Sequence, residues 1–433
     1  MSIPNESSAR LQCAERGQAE MFGRSLDDNL PPDHKARSVW AFVDSLDLSL
    51  FFEKIRAVTG RAGQPAVDPR ILLSLWLLAT TDGVGSARAL DRLCDEHIAY
   101  RWLRGGVGTN YHTLSDFRVK HATLFDQLLT ESVATLLHQG LVDLEEVAQD
   151  GVRVRASAGT KSFRRAATLE ECLTTAKQQV AALKAQDGED DGTASARQQS
   201  ARERAARERQ ERVAAAIVEH KELAERRERM VRDKGKKVRE PRASTTDPEA
   251  RTMKMPDGGF RPGYNVEFAT TSVGGVVVGV DVINVGSDSG QLVPMVQQID
   301  KRFQRKPRRM LADSDFAALD DIEMLAQDGV EVYAPLKGAA KQQAKGVHPY
   351  QARPSDGPGV GAWRTRMGTE EAKTTYHRRA STAEWVNARA RNMGLRQFLV
   401  RGLAKVKAVA TLYALTHNMM QTFALRATAT ATA

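Results

Sequence analysis

The chain has 433 residues and a formal net charge of +9, with 63 Lys and Arg against 54 Asp and Glu. This length allows two or three domains with a sizeable core. The positive charge favours an anionic partner, for which nucleic acid is the natural candidate. The three widely spaced cysteines exclude a zinc pattern and a disulfide framework. No apolar run reaches transmembrane length and no signal peptide is evident, so we expect a cytoplasmic protein, nucleoid-associated when bound to DNA, that does not use a membrane.

The N-terminal third is expected to be helical. Residues 1–35 are polar and broken by prolines, which is typical of a flexible lead-in. Helical periodicity then begins near Val39, and no strand-like alternation precedes residue 145. We therefore predict a helical domain at 36–140 that binds DNA or dimerises. Its segments 83–92 and 109–120 fit a helix-turn-helix that would bring Arg118 and Lys120 to DNA, but a plain helical bundle gives the same pattern.

Near residue 145 the sequence pattern changes from helical to strand-like, and the first candidate site carboxylate lies in this part of the chain. Val147–Val154 is predicted to be a strand carrying Asp150, and the adjacent Gly would permit close backbone approach to a phosphate. The alternative is a strand that merely ends in an Asp-Gly turn. Arg153 and Arg155 follow, where a DNA backbone would pass, so we favour the interpretation that Asp150 belongs to a functional site.

Residues 165–240 are highly charged and almost free of aromatic side chains. An apolar stripe at helical spacing, a break after Gln186 and a second stripe predict a helical hairpin inserted into the following domain. Its Lys and Arg side chains would contact DNA or a second subunit, or simply form solvated helix faces. We assign this insertion no chemistry.

The remaining pattern predicts a mixed sheet. Two runs at 263–269 and 275–283 are typical of a hairpin, a helix from Ser289 to Phe303 leads to Asp313, and a helix and a strand follow at 317–327 and 330–335. Three antiparallel strands followed by alternating helix and strand are the order of an RNase H-like fold. The predicted class is therefore α/β, with an RNase H-like sheet and flanking helices at 141–422 and a tail at 423–433. This order would bring Asp313 near Asp150.

A third acid, Glu384, follows Tyr376 and Arg379 in a run predicted to be helical to about Met420. Arg379 could clamp a phosphate to which Tyr376 donates a hydrogen bond. Taken alone, such a trio also fits an exposed charged face. Asp315 is a secondary candidate that would share the face of Asp313 on a strand, although a solvent-facing loop position is the other reading.

Oxygen-only ligands suit Mg²⁺ or Mn²⁺. Two such ions held by three carboxylates would clamp the attacking and leaving oxygens of a phosphoryl transfer.

The chain resembles bacterial insertion-sequence transposases of the DDE type that carry a Tyr-Arg-Glu signature. The resemblance runs from about residue 40 to 420 in the family's order. It rests on Asp68-Pro-Arg-Ile-Leu-Leu, Tyr100-Arg-Trp-Leu, His112-Thr-Leu-Ser-Asp-Phe-Arg118, Asp150-Gly-Val-Arg-Val-Arg-Ala, Ser244-Thr-Thr-Asp-Pro-Glu-Ala-Arg251, Pro262-Gly-Tyr-Asn-Val266, Leu311-Ala-Asp313 and Tyr376-His-Arg-Arg379-Ala-Ser-Thr-Ala-Glu384.

This resemblance implies that Asp150, Asp313 and Glu384 are catalytic, metal-binding acids and that Tyr376 and Arg379 handle DNA near the transposon end. Arg391 stands where the family often has Lys. Other departures are Asp315 in place of Gly, Ser157 in place of Asn and Glu267 in place of Gln.

The implied reaction is metal-dependent nicking and strand transfer on double-stranded DNA, at terminal inverted repeats and at a target, by a homodimer or larger synaptic complex. Two alternatives remain: a catalytically silent DNA-binding derivative and an RNase H-like nuclease.

Overall fold

The computed structural model describes residues 10–18, 23–58, 60, 64–186, 196–234 and 240–432. Seven helices form the N-terminal region: α1 Lys35–Asp44, α2 Ser49–Glu53, α3 Pro69–Thr81, α4 Ala87–Glu96, α5 Ile98–Arg104, α6 Tyr111–Lys120 and α7 Ala122–His138. Two short parallel strands accompany them, β1 Leu11–Gln12 and β2 Ala66–Val67. The predicted helical N-terminal region is confirmed, but the expectation of no strand before residue 145 is wrong.

Local sequence explains the central helix of this region. Asp68 accepts a hydrogen bond from the Arg70 amide at 2.8 Å and so caps α3, and Pro69 occupies the first helical turn, where a missing N–H costs nothing. The first turns of α4 and α6 are capped by Ser86 and Asn110. The described part of the lead-in is less loose than expected, because Leu26 and Leu30 are buried in the helical core.

The strands of the second half are β3 Glu146–Arg155, β4 Phe163–Arg164, β5 Ala243–Ser244, β6 Arg251–Lys254, β7 Phe260–Thr271, β8 Val277–Ile283, β9 Arg309–Leu311 and β10 Glu331–Tyr333. Six of them form one sheet in the order β10-β9-β3-β7-β6, with β8 also paired to β7. The pairs β3/β9 and β9/β10 are parallel, whereas β3, β8 and β6 each run antiparallel to β7. The predicted mixed sheet is therefore confirmed, and β6 is a strand that the sequence pattern missed.

The helices of the second half are α8 Ala166–Gln186, α9 Ala196–Lys234, α10 Leu292–Phe303, α11 Leu319–Gln327, α12 Ala339–Gln343, α13 Pro358–Met367, α14 Glu370–His377, α15 Ala383–Asn392 and α16 Leu403–Thr432. Helices α8 and α9 form the inserted pair, joined at their base where Leu169 contacts Ala216, and the two-stranded ladder of β4 and β5 closes the insertion. The predicted break after Gln186 lies outside the described residues.

Helices cover both faces of the sheet. Apolar side chains of α10, α11 and α13 bury one face, and those of α15 and α16 bury the other. The last helix also joins the two halves of the molecule, because Leu412, Leu415 and Met419 belong to the N-terminal core. This helix continues through the segment 423–432 that was set apart as a tail.

The helical run predicted through Trp385 to about Met420 is not continuous, and no single helix joins Tyr376 to Glu384. The chain leaves α-helical geometry at a short 3-10 helix, Arg378–Ser381, and again between Asn392 and Leu403. The second break contains Gly394 at φ 89°, where a Cβ atom would lie 2.9 Å from the Gly83 carbonyl oxygen. Both the left-handed backbone and this close approach require glycine.

Candidate active site

Asp150 lies in the middle of the central strand β3, with its side chain on the face that α15 covers. Its Oδ1 accepts a bond from Arg379 Nη2 at 2.9 Å, and its Oδ2 accepts one from Asn387 Nδ2 at 2.9 Å. Burial raises the pKa of Asp150 above its ordinary value, and the charge of Arg379 opposes this shift. Asp150 therefore belongs to an ordered polar site and does not end an exposed Asp-Gly turn.

Asp313 comes directly after β9, the parallel neighbour of β3, at the position that corresponds to Asp150 on β3. The register pairs Ala148 with Leu311, so Asp150 and Asp313 each stand two residues beyond a directly paired position. Asp313 Oδ1 accepts a bond from the Asp315 amide at 3.1 Å and so caps a 3-10 helix, Ser314–Phe316. Parallel neighbours with equal offsets bring their side chains to the same part of the sheet.

Arg379 connects the acids. Its guanidinium bonds to Asp150 and, through Nη1, to Glu384 Oε1 at 2.8 Å, while Arg379 as a whole is only 6% exposed. Burial disfavours its charge, but Asp150 first, and also Tyr376, Glu384 and Asp313, raise the pKa of Arg379. Burial raises the pKa of Tyr376, and the nearby charge of Arg379 opposes this shift. Ion pairs thus join Asp150, Arg379 and Glu384, and Tyr376 and Asp313 lie close enough to affect the pKa of Arg379.

The short 3-10 helix explains how these residues converge. Tyr376 lies at the end of α14 and Glu384 in the first turn of α15. In one straight helix Arg379 and Glu384, five residues apart, would point in directions about 140° apart. The intervening turn, with Thr382 at φ −115° and ψ −89°, redirects the chain and places Arg379 between them.

The carboxylates of this site are candidate ligands for a metal ion. Asp150, Asp313 and Glu384 offer only oxygen ligands, which suits Mg²⁺ or Mn²⁺. Within the described part of the chain, however, no group of three or more His, Cys, Asp and Glu side chains is arranged to hold a metal ion. The cation between Asp150 and Glu384 is the Arg379 guanidinium. The donor chemistry fits a divalent ion, but a metal would have to displace Arg379 from these two carboxylates.

Asn387 is a site residue that the sequence reasoning missed. It is 3% exposed, binds Asp150 through Nδ2, and its Oδ1 has no hydrogen-bond partner among the described residues. Glu384, Asn387 and Arg391 stand at positions i, i+3 and i+7 of α15 and so share one helix face. That spacing was the available signal, but it had value only once Glu384 was known to face β3.

An arginine-lined cleft lies at the end of β3. Three of the cations predicted to bind DNA, Arg153, Arg155 and Arg391, line it together with Arg261 and Arg396, which were not predicted. The cleft has a volume of 340 Å³. It forms because the segment after α15 runs beside β3: the Arg155 amide donates to the Arg396 carbonyl at 3.1 Å, and the Phe398 amide donates to the Arg155 carbonyl at 2.8 Å. We name this set of five arginines the arginine cleft.

Two other predicted DNA contacts stand apart from this site. Arg118 is 5% exposed, donates to the Gly85 carbonyl and lies over the Trp76 ring, and its burial lowers its pKa to about 10. Its guanidinium packs in the helical core, so its position does not support the predicted contact with DNA. Lys120 is exposed and pairs with Asp116 at 2.8 Å.

Asp315 lies outside the acidic site. It sits on the 3-10 helix, where the strand geometry that would have aligned it with Asp313 does not exist. Its side chain is 53% exposed and pairs with Lys337 at 2.6 Å. The solvent-facing reading of this residue therefore agrees with the structure.

A buried polar network lies on the opposite face of β3 and β7. Glu267 is 1% exposed and accepts a bond from Asn265 Nδ2 at 2.6 Å, and Asn265 also binds Asp288. Burial first and the Asp288 carboxylate second raise the pKa of Glu267 well above its ordinary value. This shift favours the neutral form of Glu267, which hydrogen-bonds within the network much as a side-chain amide would. Gly151 leaves the space this network needs, because a Cβ atom would lie 2.9 Å from Asn265 Oδ1 and from Glu267 Oε1.

No helix among the described residues is long and apolar enough to cross a membrane.

Two family models match the chain. The model described as Transposase domain (DUF772) matches residues 24–120, and the model described as Transposase DDE domain matches residues 360–423. No curated protein and no solved structure matches the chain. The chain is thus similar to transposases both in its N-terminal helical region and in the DDE segment that carries Tyr376, Arg379 and Glu384.

Proposed function

We propose that this protein is a DDE-type DNA transposase of an insertion sequence, with Asp150, Asp313 and Glu384 as its catalytic acids. The observation that carries the proposal is the convergence of these acids, from two adjacent parallel strands and one helix, around the buried cation Arg379. The match of residues 360–423 to a transposase DDE domain supports it independently.

The topology supports an RNase H-like core for this activity. The strands lie side by side in the order β8, β7, β3, β9 and β10, which is 3-2-1-4-5 when these five strands are numbered along the chain. The first three along the chain pair antiparallel, and the last two run parallel to the first. This is the strand order expected for that fold. We infer that the helical insertion at 165–240 and the N-terminal helical region at 36–140 are additions to this core that serve DNA binding or assembly.

The cofactor we propose is Mg²⁺ or Mn²⁺, as two ions that Asp150, Asp313 and Glu384 would hold. When bound, the ions would lower the pKa of the attacking water or hydroxyl and stabilise the leaving oxygen. The chain's own groups have separate tasks. Asn387 fixes the orientation of the Asp150 carboxylate. Arg379, which bridges Asp150 and Glu384, balances the charge of these two acids before DNA binds.

We infer that Arg379 and Tyr376 are the side chains that would contact DNA phosphates at this site. A guanidinium bonds to two phosphate oxygens, and the Tyr hydroxyl donates to a third. The DNA partners are the terminal inverted repeats of the element and a target duplex. Since two ends must be joined in one reaction, the acting species is a homodimer or a larger synaptic complex.

The test is incubation of the protein with duplexes carrying the element's own terminal repeats, Mg²⁺ or Mn²⁺ and a target plasmid. We expect end-dependent nicking and joining that is lost in Asp150→Asn. Cleavage without end preference or joining would identify an RNase H-like nuclease, and binding without cleavage a silent DNA-binding protein. Either result would overturn the proposal.

A further inference from the structure

We propose that the arginine cleft holds the DNA backbone about three to five nucleotides from the bond that is cut. This inference rests on the proposed function and adds to it a second anchoring point, with Arg261 and Arg396 as contacts that the sequence did not predict. The ligand class is a run of phosphodiester groups on one strand of a duplex.

The charge of the cleft supports this ligand. Five guanidinium groups line it against one carboxylate, that of Asp257. Arg261 pairs with Asp257 and Arg153 lies 3.5 Å from Asp288, whereas Arg155, Arg391 and Arg396 form no salt bridge among the described residues. Such a concentration of uncompensated positive charge attracts an anion and releases counterions when phosphates bind.

The position of the cleft sets the distance. Arg153 and Arg155 stand three and five residues after Asp150 on the same strand, and a strand rises about 3.3 Å per residue, which gives about 10–17 Å. A DNA strand carries one phosphate per about 3.4 Å of helix axis, so this span corresponds to about three to five nucleotides.

Helix α15 provides the same connection from the other side of the site. Glu384 and Arg391 share one face and are seven residues apart, or about 10 Å along the helix axis. Strand β3 and helix α15 thus both reach from the acids to the cleft. The side chains of Arg153 and Arg155 lie on the other face of β3 from Asp150, so DNA bound at the acids would reach the cleft around the end of that strand.

The shape of the cleft argues against a small anion as its ligand. A free phosphate is surrounded in proteins by a few convergent donors, but here the cations are distributed along two elements and an open edge. Arg396 is exposed, and its Nε donates to the Arg391 carbonyl at 3.3 Å, which turns it toward the cleft rim. Extended contact with a polymer fits this arrangement.

The test compares the parent with the double variant Arg261→Gln/Arg396→Gln. Both residues are exposed, so the substitutions leave the fold intact, which circular dichroism verifies. The matched control is Arg305→Gln/Arg308→Gln, two exposed arginines before β9, at the opposite end of β3 from Arg155. Binding to end-repeat duplex is measured by fluorescence anisotropy between about 50 and 200 mM salt.

We expect the slope of log K against log salt to become shallower by about 1.8 in the double variant, since each lost phosphate contact removes about 0.9. The control should keep the parent's slope. A slope unchanged in the double variant, or reduced equally in the control, would overturn the inference.

Neutral methylphosphonate linkages locate the contact. Placed three to five nucleotides from the cut bond, they should weaken binding by the parent and weaken binding by Arg261→Gln/Arg396→Gln less, since that variant keeps three of the five arginines. Sensitivity at another distance, equal sensitivity in both proteins, or displacement of the DNA by orthophosphate at constant ionic strength would each contradict the proposal. If the parent cuts and joins end DNA while these results fail, only the cleft assignment falls; if the parent neither binds nor cuts end DNA, the proposed function falls.

Discussion

Replacing Arg379 with Gln removes the guanidinium that bridges Asp150 and Glu384, and it should destabilise the protein strongly above the titration range of Asp150. Breaking a buried ion pair from one side costs about 3–5 kcal/mol, because the other charge stays buried without a partner. The Asp150 side chain is 19% exposed, and that of Glu384 is 53% exposed. The Glu384 pair therefore contributes at most about 1 kcal/mol. Asn387 and the Gly151 amide still bind Asp150, so we expect a total loss near 3 kcal/mol.

The sign of the pH dependence provides the control. Burial raises the pKa of Asp150 above its value in the unfolded chain, about 3.9. The contribution of this carboxyl to the free energy of unfolding therefore falls as the pH rises from the unfolded-state pKa through the folded-state pKa. Loss of Arg379 raises this pKa further, so the variant should be much closer to the parent near pH 5 than near pH 8.

The assay is urea denaturation followed by circular dichroism at both pH values. Adding Asp150→Asn to the variant replaces the buried charge with a neutral amide and should recover most of the lost stability. A loss below about 1 kcal/mol, or a loss equal at the two pH values, would refute the reasoning.

Three further outcomes follow from the described contacts. Gly151→Ala should lower the free energy of unfolding by about 1–3 kcal/mol in urea denaturation, because its Cβ overlaps Asn265 and Glu267, and a neutral effect would show that the network yields. Glu267→Gln should leave stability unchanged near pH 4 and raise it near pH 8, since Glu267 ionises above about pH 4.3 in the unfolded chain while burial holds its proton in the folded protein, which lowers the parent's free energy of unfolding; a fall in stability at both pH values would contradict the raised pKa of Glu267. Arg118→Ala should lower the melting temperature but keep the salt dependence of DNA binding, and a shallower salt slope would restore Arg118 to the DNA contacts.

The parts of the fold that local pattern controls were predictable. The alternation around Asp150 predicted β3, and the spacing of apolar runs predicted the hairpin and the strand before Asp313, because a strand with buried faces has a restricted composition. The equal offset of Asp150 and Asp313 from the paired residues then follows from the parallel register.

Contacts between distant segments were not predictable in the same way. The turn after His377 breaks a helical pattern that composition alone would continue, and it is this turn that places Arg379 between the acids. Arg118 resembles a groove-facing cation in sequence, but the Trp76 ring and the Gly85 carbonyl bury it. Arg396 joins the arginine cleft only because its segment pairs with the end of β3.

A pair of acids two residues apart offers the most direct test of the central claim. In a cleavage assay on end-repeat DNA with Mg²⁺ or Mn²⁺, Asp313→Asn should lose activity by about 10³-fold or more, since metal ions supply several kcal/mol of transition-state stabilisation. Asp315→Asn removes an equal charge from an exposed side chain paired with Lys337 and should cut and join DNA like the parent. Equal activity of the two variants, or activity lost only in Asp315→Asn, would contradict the account.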